Sequence, residues 1–211
     1  MRRHLGDLVA ALLDLVVPQW CAGCGRVPGG LCGACAARLA VPRAVGRAVP
    51  GVPSVHAAAV YDGPVRAAVI AYKERGRLAL AAPLGAALGR AVDAAAANAP
   101  PGEPVLLVPV PTTSARRRER GYDALHQLVV HAVREPGGRD VRALPVLRHV
   151  RAVADQAGLD ARARSANLAG ALSVLPGREP AVRGRAVIVV DDVLTTGATL
   201  AECARALRAA G

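Results

Sequence analysis

The most informative segment of the sequence is Val187-Ile188-Val189-Val190-Asp191-Asp192-Val193-Leu194-Thr195-Thr196-Gly197-Ala198-Thr199. Its apolar start predicts a buried strand, and Asp191 and Asp192 place adjacent carboxylates at the carboxyl end of that strand. In open α/β sheets, ligands bind outside the carboxyl ends of the strands, and a helix N-terminus favours phosphate. Two carboxylates repel a phosphate unless they meet hydroxyls or a divalent metal. The stretch therefore predicts a site for a phosphorylated sugar with Mg²⁺.

Apolar runs and helical patterns alternate through the rest of the chain. Strands are predicted at residues 55–61, 105–108, 141–147, 171–175 and 186–190. Helices are predicted at residues 65–72, 78–97, 123–133 and 199–210. Two polar segments separate these elements: a loop rich in arginine at residues 109–122, and residues 148–167, whose length suggests a functional lid. The alternation predicts an α/β fold with a mainly parallel sheet flanked by helices.

Four cysteines form two C-x-x-C pairs, Cys21-Ala-Gly-Cys24 and Cys32-Gly-Ala-Cys35. Pairs at this short spacing favour a structural zinc ion held by four thiolates, and two redox-active pairs or a disulfide pair are the alternatives. The remaining cysteine, Cys203, is predicted to be a small buried apolar residue.

The cysteine ribbon belongs to a predicted N-terminal unit, residues 1–50, which also contains an amphipathic helix and a linker. The helix rests on the spacing of Leu5, Leu8, Val9, Leu12, Leu13 and Val16. Residues 51–211 are predicted to form the main domain, with a core separate from that of the first unit.

The composition of the chain restricts the classes of binding partner that it can have. The chain has 211 residues, a formal net charge of +11 and only 2% aromatic residues. The charge favours a polyanionic partner, whereas the low aromatic content argues against a protein that binds RNA or single strands by base stacking. No run of eighteen apolar residues exists, so we expect no membrane span and a cytoplasmic protein.

The stretch quoted first resembles the phosphoribosyl pyrophosphate (PRPP) signature of type I phosphoribosyltransferases. The resemblance implies that Asp191 and Asp192 contact the ribose hydroxyls. It also implies that the loop binds the 5′-phosphate of PRPP, which is used with Mg²⁺, through Thr195, Thr196, Gly197, Ala198 and Thr199. A strand, an acid pair and a T-T-G-x-T loop in succession are far more specific than a lone loop rich in glycine.

Further motifs extend the resemblance over nearly the whole chain. They are Tyr72-Lys73, Val108-Pro109-Val110-Pro111, Arg116-Arg117-Arg118-Glu119-Arg120-Gly121-Tyr122-Asp123, Arg148, Asp155-Gln156, Arg164-Ser165-Ala166-Asn167 and Gly170-Ala171. Together they resemble the ComF family, whose members pair an N-terminal zinc ribbon with a phosphoribosyltransferase domain and are linked to natural competence for DNA uptake. The resemblance implies a type I phosphoribosyltransferase fold for residues 51–211.

Arginines after a sheet strand suit pyrophosphate, because a guanidinium pairs bidentately with phosphate oxygens. Arg120 is the first candidate, since Gly121 beside it allows a close approach of the backbone to a ligand. Arg164, with Gln156 and Asn167, is predicted to close over the pyrophosphate. The predicted catalytic residues are Asp191, Asp192, Arg120 and Arg164. Lys73 is interpreted as a surface lysine.

Two functions fit these residues. The first is an enzyme that binds PRPP with Mg²⁺ and transfers the phosphoribosyl group to a nitrogen acceptor, and no residue identifies that acceptor. The second is a non-catalytic module that senses PRPP or acts as a scaffold, with its ribbon and basic surface engaging single-stranded DNA or DNA-uptake proteins through phosphate contacts. Turnover of PRPP, as opposed to binding alone, distinguishes them.

Overall fold

The computed structural model describes residues 20–46, 48–134, 140–153 and 160–211. The predicted amphipathic helix near the N-terminus and the predicted lid residue Gln156 lie outside these ranges.

Strands and helices alternate along the described chain. The strands are β1 (Arg43–Ala44), β2 (His56–Ala57), β3 (Val105–Pro109), β4 (Val141–Ala143), β5 (Leu147–His149), β6 (Leu172–Val174) and β7 (Val187–Val190). The helices are α1 (Gly33–Ala37), α2 (Gly63–Glu74), α3 (Ala81–Ala96), α4 (Ser114–Arg120), α5 (Ala124–Ala132), α6 (Ala161–Leu168), α7 (Glu179–Val182) and α8 (Ala198–Arg208).

The central sheet is parallel and has the strand order β4-β3-β7. Leu107 of β3 lies opposite Ala143 of β4 on one side and Ile188 of β7 on the other. Strands β5 and β6 form an antiparallel pair, as do β1 and β2. The predicted α/β fold with a mainly parallel sheet flanked by helices is confirmed.

Strand β3 is buried along its whole length, which explains its continuous apolar sequence. Successive side chains of a strand point to opposite faces of the sheet. Val108 accordingly shares a hydrophobic cluster with Cys203 of α8, whereas Leu107 shares another with Val92 of α3. Helices therefore cover both faces of the sheet, and the prediction that Cys203 is buried is confirmed.

The cysteine ribbon packs directly on the main domain. Leu39, just after α1, lies in one hydrophobic cluster with Val65 and Tyr72 of α2 and Leu84 of α3. The guanidinium of Arg90 donates a hydrogen bond of 3.0 Å to the carbonyl oxygen of Leu39. The expectation that the two units have separate cores is therefore wrong, while the domain boundary at residue 50 stays a prediction.

The predicted arginine loop at residues 109–122 contains the helix α4. The Thr113 hydroxyl caps the helix by accepting a hydrogen bond of 3.4 Å from the backbone N–H of Arg116. At the other end Gly121 has φ of +77°, a left-handed conformation that terminates the helix. Because of these capping residues, part of the segment 109–122 is a helix, although its charge pattern alone predicts a loop.

Three further predicted elements differ from the observed ones. The strand predicted at residues 141–147 is two strands, β4 and β5, and Pro145 between them lacks the N–H that a continuous ladder requires. The predicted strand at residues 55–61 is only the two-residue β2. The predicted lid carries α6, where the Asp160 carboxylate accepts a hydrogen bond of 2.8 Å from the N–H of Ala163.

One segment among the described residues, Leu78–Ala96, is long and apolar enough to cross a membrane by length and composition. Its inward residues pack in the core of the domain, however, where Leu84, Ala87 and Val92 are buried against α2, α5 and the sheet. The packing is that of a core helix in an α/β domain.

Candidate functional site

The acid pair lies at the carboxyl end of β7, where the sequence predicts it. The backbone N–H of Asp192 donates a hydrogen bond of 2.8 Å to the carboxylate of Asp191, and the chain bends at Asp192. We call residues 191–197 the β7 loop. The loop ends at Gly197, the N-cap of α8, and the Thr196 hydroxyl accepts a hydrogen bond of 3.4 Å from the N–H of Ala198.

Gly197 is required at its position for two reasons. Its φ of +86° lies in the left-handed region that side chains disfavour. A Cβ atom built on it would also lie 2.8 Å from Cγ2 of Val49, which is buried against the loop. The segment predicted as a linker thus packs on the β7 loop and fixes its shape.

The two carboxylates of the acid pair differ in environment. Burial raises the pKa of Asp191 to about 7, with a further increase from the charge of Asp192, and the N–H of Asp192 and the charge of Lys73 oppose the shift. Asp192 is directly paired instead, because its Oδ2 atom lies 2.6 Å from Nζ of Lys73. The negative charge of the pair is therefore partly neutralised from within the protein.

Lys73 was interpreted from the sequence as a surface lysine, and that interpretation is wrong. It lies in the last turn of α2, its side chain is largely buried, and it reaches the acid pair across 119 positions of sequence. Two signals in the sequence pointed to it: it is the sole lysine in a chain rich in arginine, and Tyr72-Lys73 is one of the motifs that resemble the ComF family.

The chain that follows the neighbouring strand β3 supplies Arg120, at the end of α4. Its Nη2 atom donates a hydrogen bond of 2.7 Å to Oε1 of Glu74, the residue after Lys73. The Arg120 side chain is only 9% exposed, and its Nε atom has no hydrogen-bond partner among the described residues. The end of α2 thus links Arg120 to the acid pair through two consecutive residues.

Two tyrosines fix this arrangement. The Tyr72 hydroxyl donates a hydrogen bond of 2.8 Å to the carbonyl oxygen of Ala124, and the Tyr122 hydroxyl donates to the carbonyl oxygen of Tyr72. Their rings are 5.9 Å apart, edge to face. The end of α2 and the segment between α4 and α5 are therefore held together beside the site.

Arg164 lies on α6, which packs against α8, the helix that follows the β7 loop. Its Nε atom is also buried without a hydrogen-bond partner in the described part of the chain. Among the residues predicted to bind the 5′-phosphate, Thr195 is exposed, and Thr196, Ala198 and Thr199 are half-buried. The structure thus places the loop residues next to the acid pair in the chain, and Arg164 on a helix that packs against α8.

A cavity of about 940 Å³ reaches the acid pair. Asp191, Asp192 and Lys73 are among its polar lining residues, and apolar residues of β7 and α3 line much of the rest. Arg120, Arg164 and residues 195–199 do not line this cavity. Cavities of this size accommodate small-molecule ligands, so the carboxylates face a volume suited to one.

The four cysteines Cys21, Cys24, Cys32 and Cys35 form a cluster whose Sγ atoms all lie within 4.8 Å of one another. The Sγ atoms of Cys24 and Cys32 are 3.8 Å apart, and four sulfurs placed tetrahedrally about 2.3 Å from zinc are separated by about 3.8 Å. The backbone N–H of Cys32 donates to Sγ of Cys21 at 3.3 Å, which orients that sulfur. The cluster can therefore hold a metal ion such as zinc.

Comparisons with known proteins agree with this architecture. Residues 87–211 match the model of the phosphoribosyl transferase domain. The DNA utilization protein YhgH of Salmonella typhi and that of Salmonella typhimurium are each 38% identical over 107 residues, which is 49% of this chain and 43% of the relative. Competence protein F of Haemophilus influenzae is 33% identical over 111 residues, 51% of this chain and 46% of that protein. The chain thus matches less than half the length of these relatives.

Proposed function

The chain belongs to the phosphoribosyl transferase domain family, and from this membership we propose that it binds PRPP with Mg²⁺ at the acid pair and the β7 loop. One observation carries the proposal: Asp191 and Asp192 directly follow strand β7 of the parallel sheet, and residues 193–197 lead from them to the N-terminus of the eleven-residue helix α8. The carboxylates accept hydrogen bonds from the ribose hydroxyls, and the backbone N–H groups from Thr195 to Thr199 bind the 5′-phosphate.

The charges around the site suit this ligand. Lys73 neutralises Asp192 at 2.6 Å, so a polyanion meets less repulsion than two free carboxylates would exert. Arg120 and Arg164, each with a buried Nε atom that lacks a partner in the described ranges, have donors left for the pyrophosphate.

A magnesium ion fits the donors present. Mg²⁺ is held in phosphate sites by one or two carboxylates together with water and the substrate phosphates, and Asp191 and Asp192 are such carboxylates. When bound, the ion supplies charge that stabilises the leaving pyrophosphate. Arg120 and Arg164 orient the pyrophosphate and exclude water from it.

We propose a transferase reaction at this site, in which an acceptor nitrogen forms a bond to C1′ as the bond from C1′ to the pyrophosphate oxygen breaks. Incubation of the protein with isotope-labelled PRPP and a panel of nucleobases tests this directly. Formation of a labelled nucleotide with release of pyrophosphate supports the enzyme, whereas binding without turnover supports a PRPP sensor or scaffold.

We also propose that the metal of the cysteine cluster is zinc and that the protein is cytoplasmic. Four thiolates with a tetrahedral separation leave no open coordination position, which fits a structural zinc ion. None of the described cysteines forms a disulfide, and a reducing compartment maintains that state.

A second function is favoured by the exposed arginines of α4 and by relatives named for DNA utilization and competence. Arg116, Arg117 and Arg118 are all exposed on this one helix. We propose that this surface contacts the phosphates of single-stranded DNA, in a protein that contributes to DNA uptake.

If α4 binds single-stranded DNA through phosphates, the logarithm of the affinity falls linearly with the logarithm of the salt concentration, by about 0.7 per phosphate contact. The double variant Arg117→Gln, Arg118→Gln is expected to reduce this slope by about 1.4. Fluorescence anisotropy with a labelled oligonucleotide measures it. Arg142→Gln, an exposed arginine already paired with Asp140 at 2.7 Å, is the matched control. An unchanged slope in the double variant would remove α4 from the DNA-binding surface.

A further inference from the structure

Helix α2 ends in two residues of opposite charge, and each is paired with a site residue of the opposite sign. Nζ of Lys73 lies 2.6 Å from Asp192, and Oε1 of Glu74 lies 2.7 Å from Nη2 of Arg120. Glu74 has no role in the proposed transferase reaction. Its carboxylate nevertheless accepts a hydrogen bond from Arg120, which is the first candidate for binding pyrophosphate.

The Glu74–Arg120 contact is unequal in exposure. The Arg120 side chain is 9% exposed and that of Glu74 is 52% exposed, so a buried guanidinium is held by a carboxylate that can return to water. The contact uses one oxygen and one nitrogen, and Nε of Arg120 has no partner in the described chain. An arginine bound to an anion in the preferred bidentate manner would donate from two of its guanidinium nitrogens.

We propose that Glu74 is an internal competitor of the ligand: its carboxylate occupies Arg120 in the free protein, and the pyrophosphate group of PRPP displaces it. This inference rests on the proposed function, because it requires a phosphate ligand at Arg120. Pyrophosphate carries more negative charge than a carboxylate and can accept hydrogen bonds from two guanidinium nitrogens. It therefore binds Arg120 more strongly than Glu74 does and displaces the Glu74 carboxylate. Singly charged anions gain less and are excluded, which makes Glu74 a determinant of specificity.

The exchange costs little elsewhere in the site. Glu74 is the last residue of α2, so its side chain moves into solvent without unwinding the helix. The neighbouring pair of Lys73 and Asp192 stays in place and continues to neutralise the acid pair. Tyr72 keeps the helix end fixed through its hydrogen bond to Ala124.

The test is a calorimetric titration of the purified full chain with pyrophosphate and with PRPP, both with Mg²⁺. The Glu74→Gln variant removes the competing charge and is expected to bind both ligands about 3-fold to 5-fold more tightly, the size of a partly exposed ion pair. A gain in affinity is a result that a merely structural role of Glu74 would not produce.

Two controls separate the local contact from the change in net charge. Glu103→Gln removes the same charge from an ion pair with Arg185 at 3.2 Å, ahead of β3 at the opposite end of the sheet, and is expected to leave affinity unchanged. In a protein that already carries Arg120→Met, the Glu74→Gln substitution is expected to have no further effect on affinity.

The outcomes are distinguishable. Binding of PRPP by the wild-type protein with equal or weaker affinity in Glu74→Gln overturns the inference alone. An equal gain in Glu74→Gln and Glu103→Gln also overturns it, because the effect then comes from net charge. Absence of binding in the wild-type protein and in Glu74→Gln overturns the proposed function, and this inference with it.

Discussion

Replacement of Cys35 by serine is expected to release the metal ion and to lower the melting temperature by on the order of 10 °C. Cys35 is buried within α1, and an ion held by the cluster would link this helix to the turn that carries Cys21 and Cys24. Without the ion, α1 no longer holds Leu39 in the cluster it shares with α2 and α3. The loss therefore extends from the ribbon into the main domain.

Elemental analysis together with a thermal melt measures both effects. The wild-type protein is expected to contain one zinc ion per chain and the Cys35→Ser variant none. Cys203→Ala is the matched control, because Cys203 is also buried but lies outside the cluster, so the variant is expected to retain the ion. Retention of zinc after serine replaces all four cysteines of the cluster would contradict the assignment.

Replacement of Gly197 by valine is expected to reduce PRPP affinity more than any other single substitution in the β7 loop, by on the order of 100-fold or more. A side chain at φ of +86° is strained, and its Cβ atom would lie 2.8 Å from Cγ2 of Val49. The loop must move to relieve this contact, and its N–H groups then no longer point at one phosphate. Titration with PRPP and Mg²⁺ measures the loss.

A matched glycine controls for strain alone. Gly177, between β6 and α7, has φ of +77°, and a Cβ atom there meets nothing within 4 Å. Gly177→Val is expected to cost some stability and to leave PRPP affinity intact. Equal affinities in Gly197→Val and the wild-type protein would mean that the β7 loop is not a phosphate site.

The parts of the site that lie close together in sequence could be predicted from it. Residues 187–199 follow one another as strand, acid pair, loop and helix, so local patterns alone place Asp191 and Asp192 at the end of β7. The four cysteines likewise lie within fifteen residues, and their spacing predicts the cluster.

The parts that depend on tertiary packing could not be predicted. Lys73 reaches Asp192, and Glu74 reaches Arg120, because α2 ends beside the loops that carry their partners. The periodicity of the sequence does not predict that α2 lies near these loops. The contact of Val49 with Gly197 arises in the same way, from a segment whose composition indicates a linker. The sequence shows which residues are charged, but which charged residues form ion pairs depends on how the helices pack.

The claim that PRPP binds at the acid pair can be tested by calorimetric titration of the wild-type protein and of two Asp192 variants with PRPP and Mg²⁺. One PRPP is expected to bind per chain, and the binding free energy is expected to weaken by about 1–3 kcal/mol in Asp192→Ala and by less in Asp192→Asn, which retains part of the hydrogen bonding. Glu103→Gln is expected to bind as the wild-type protein does. Absence of binding by the wild-type protein, or equal affinities in the wild-type protein and Asp192→Ala, would contradict the claim.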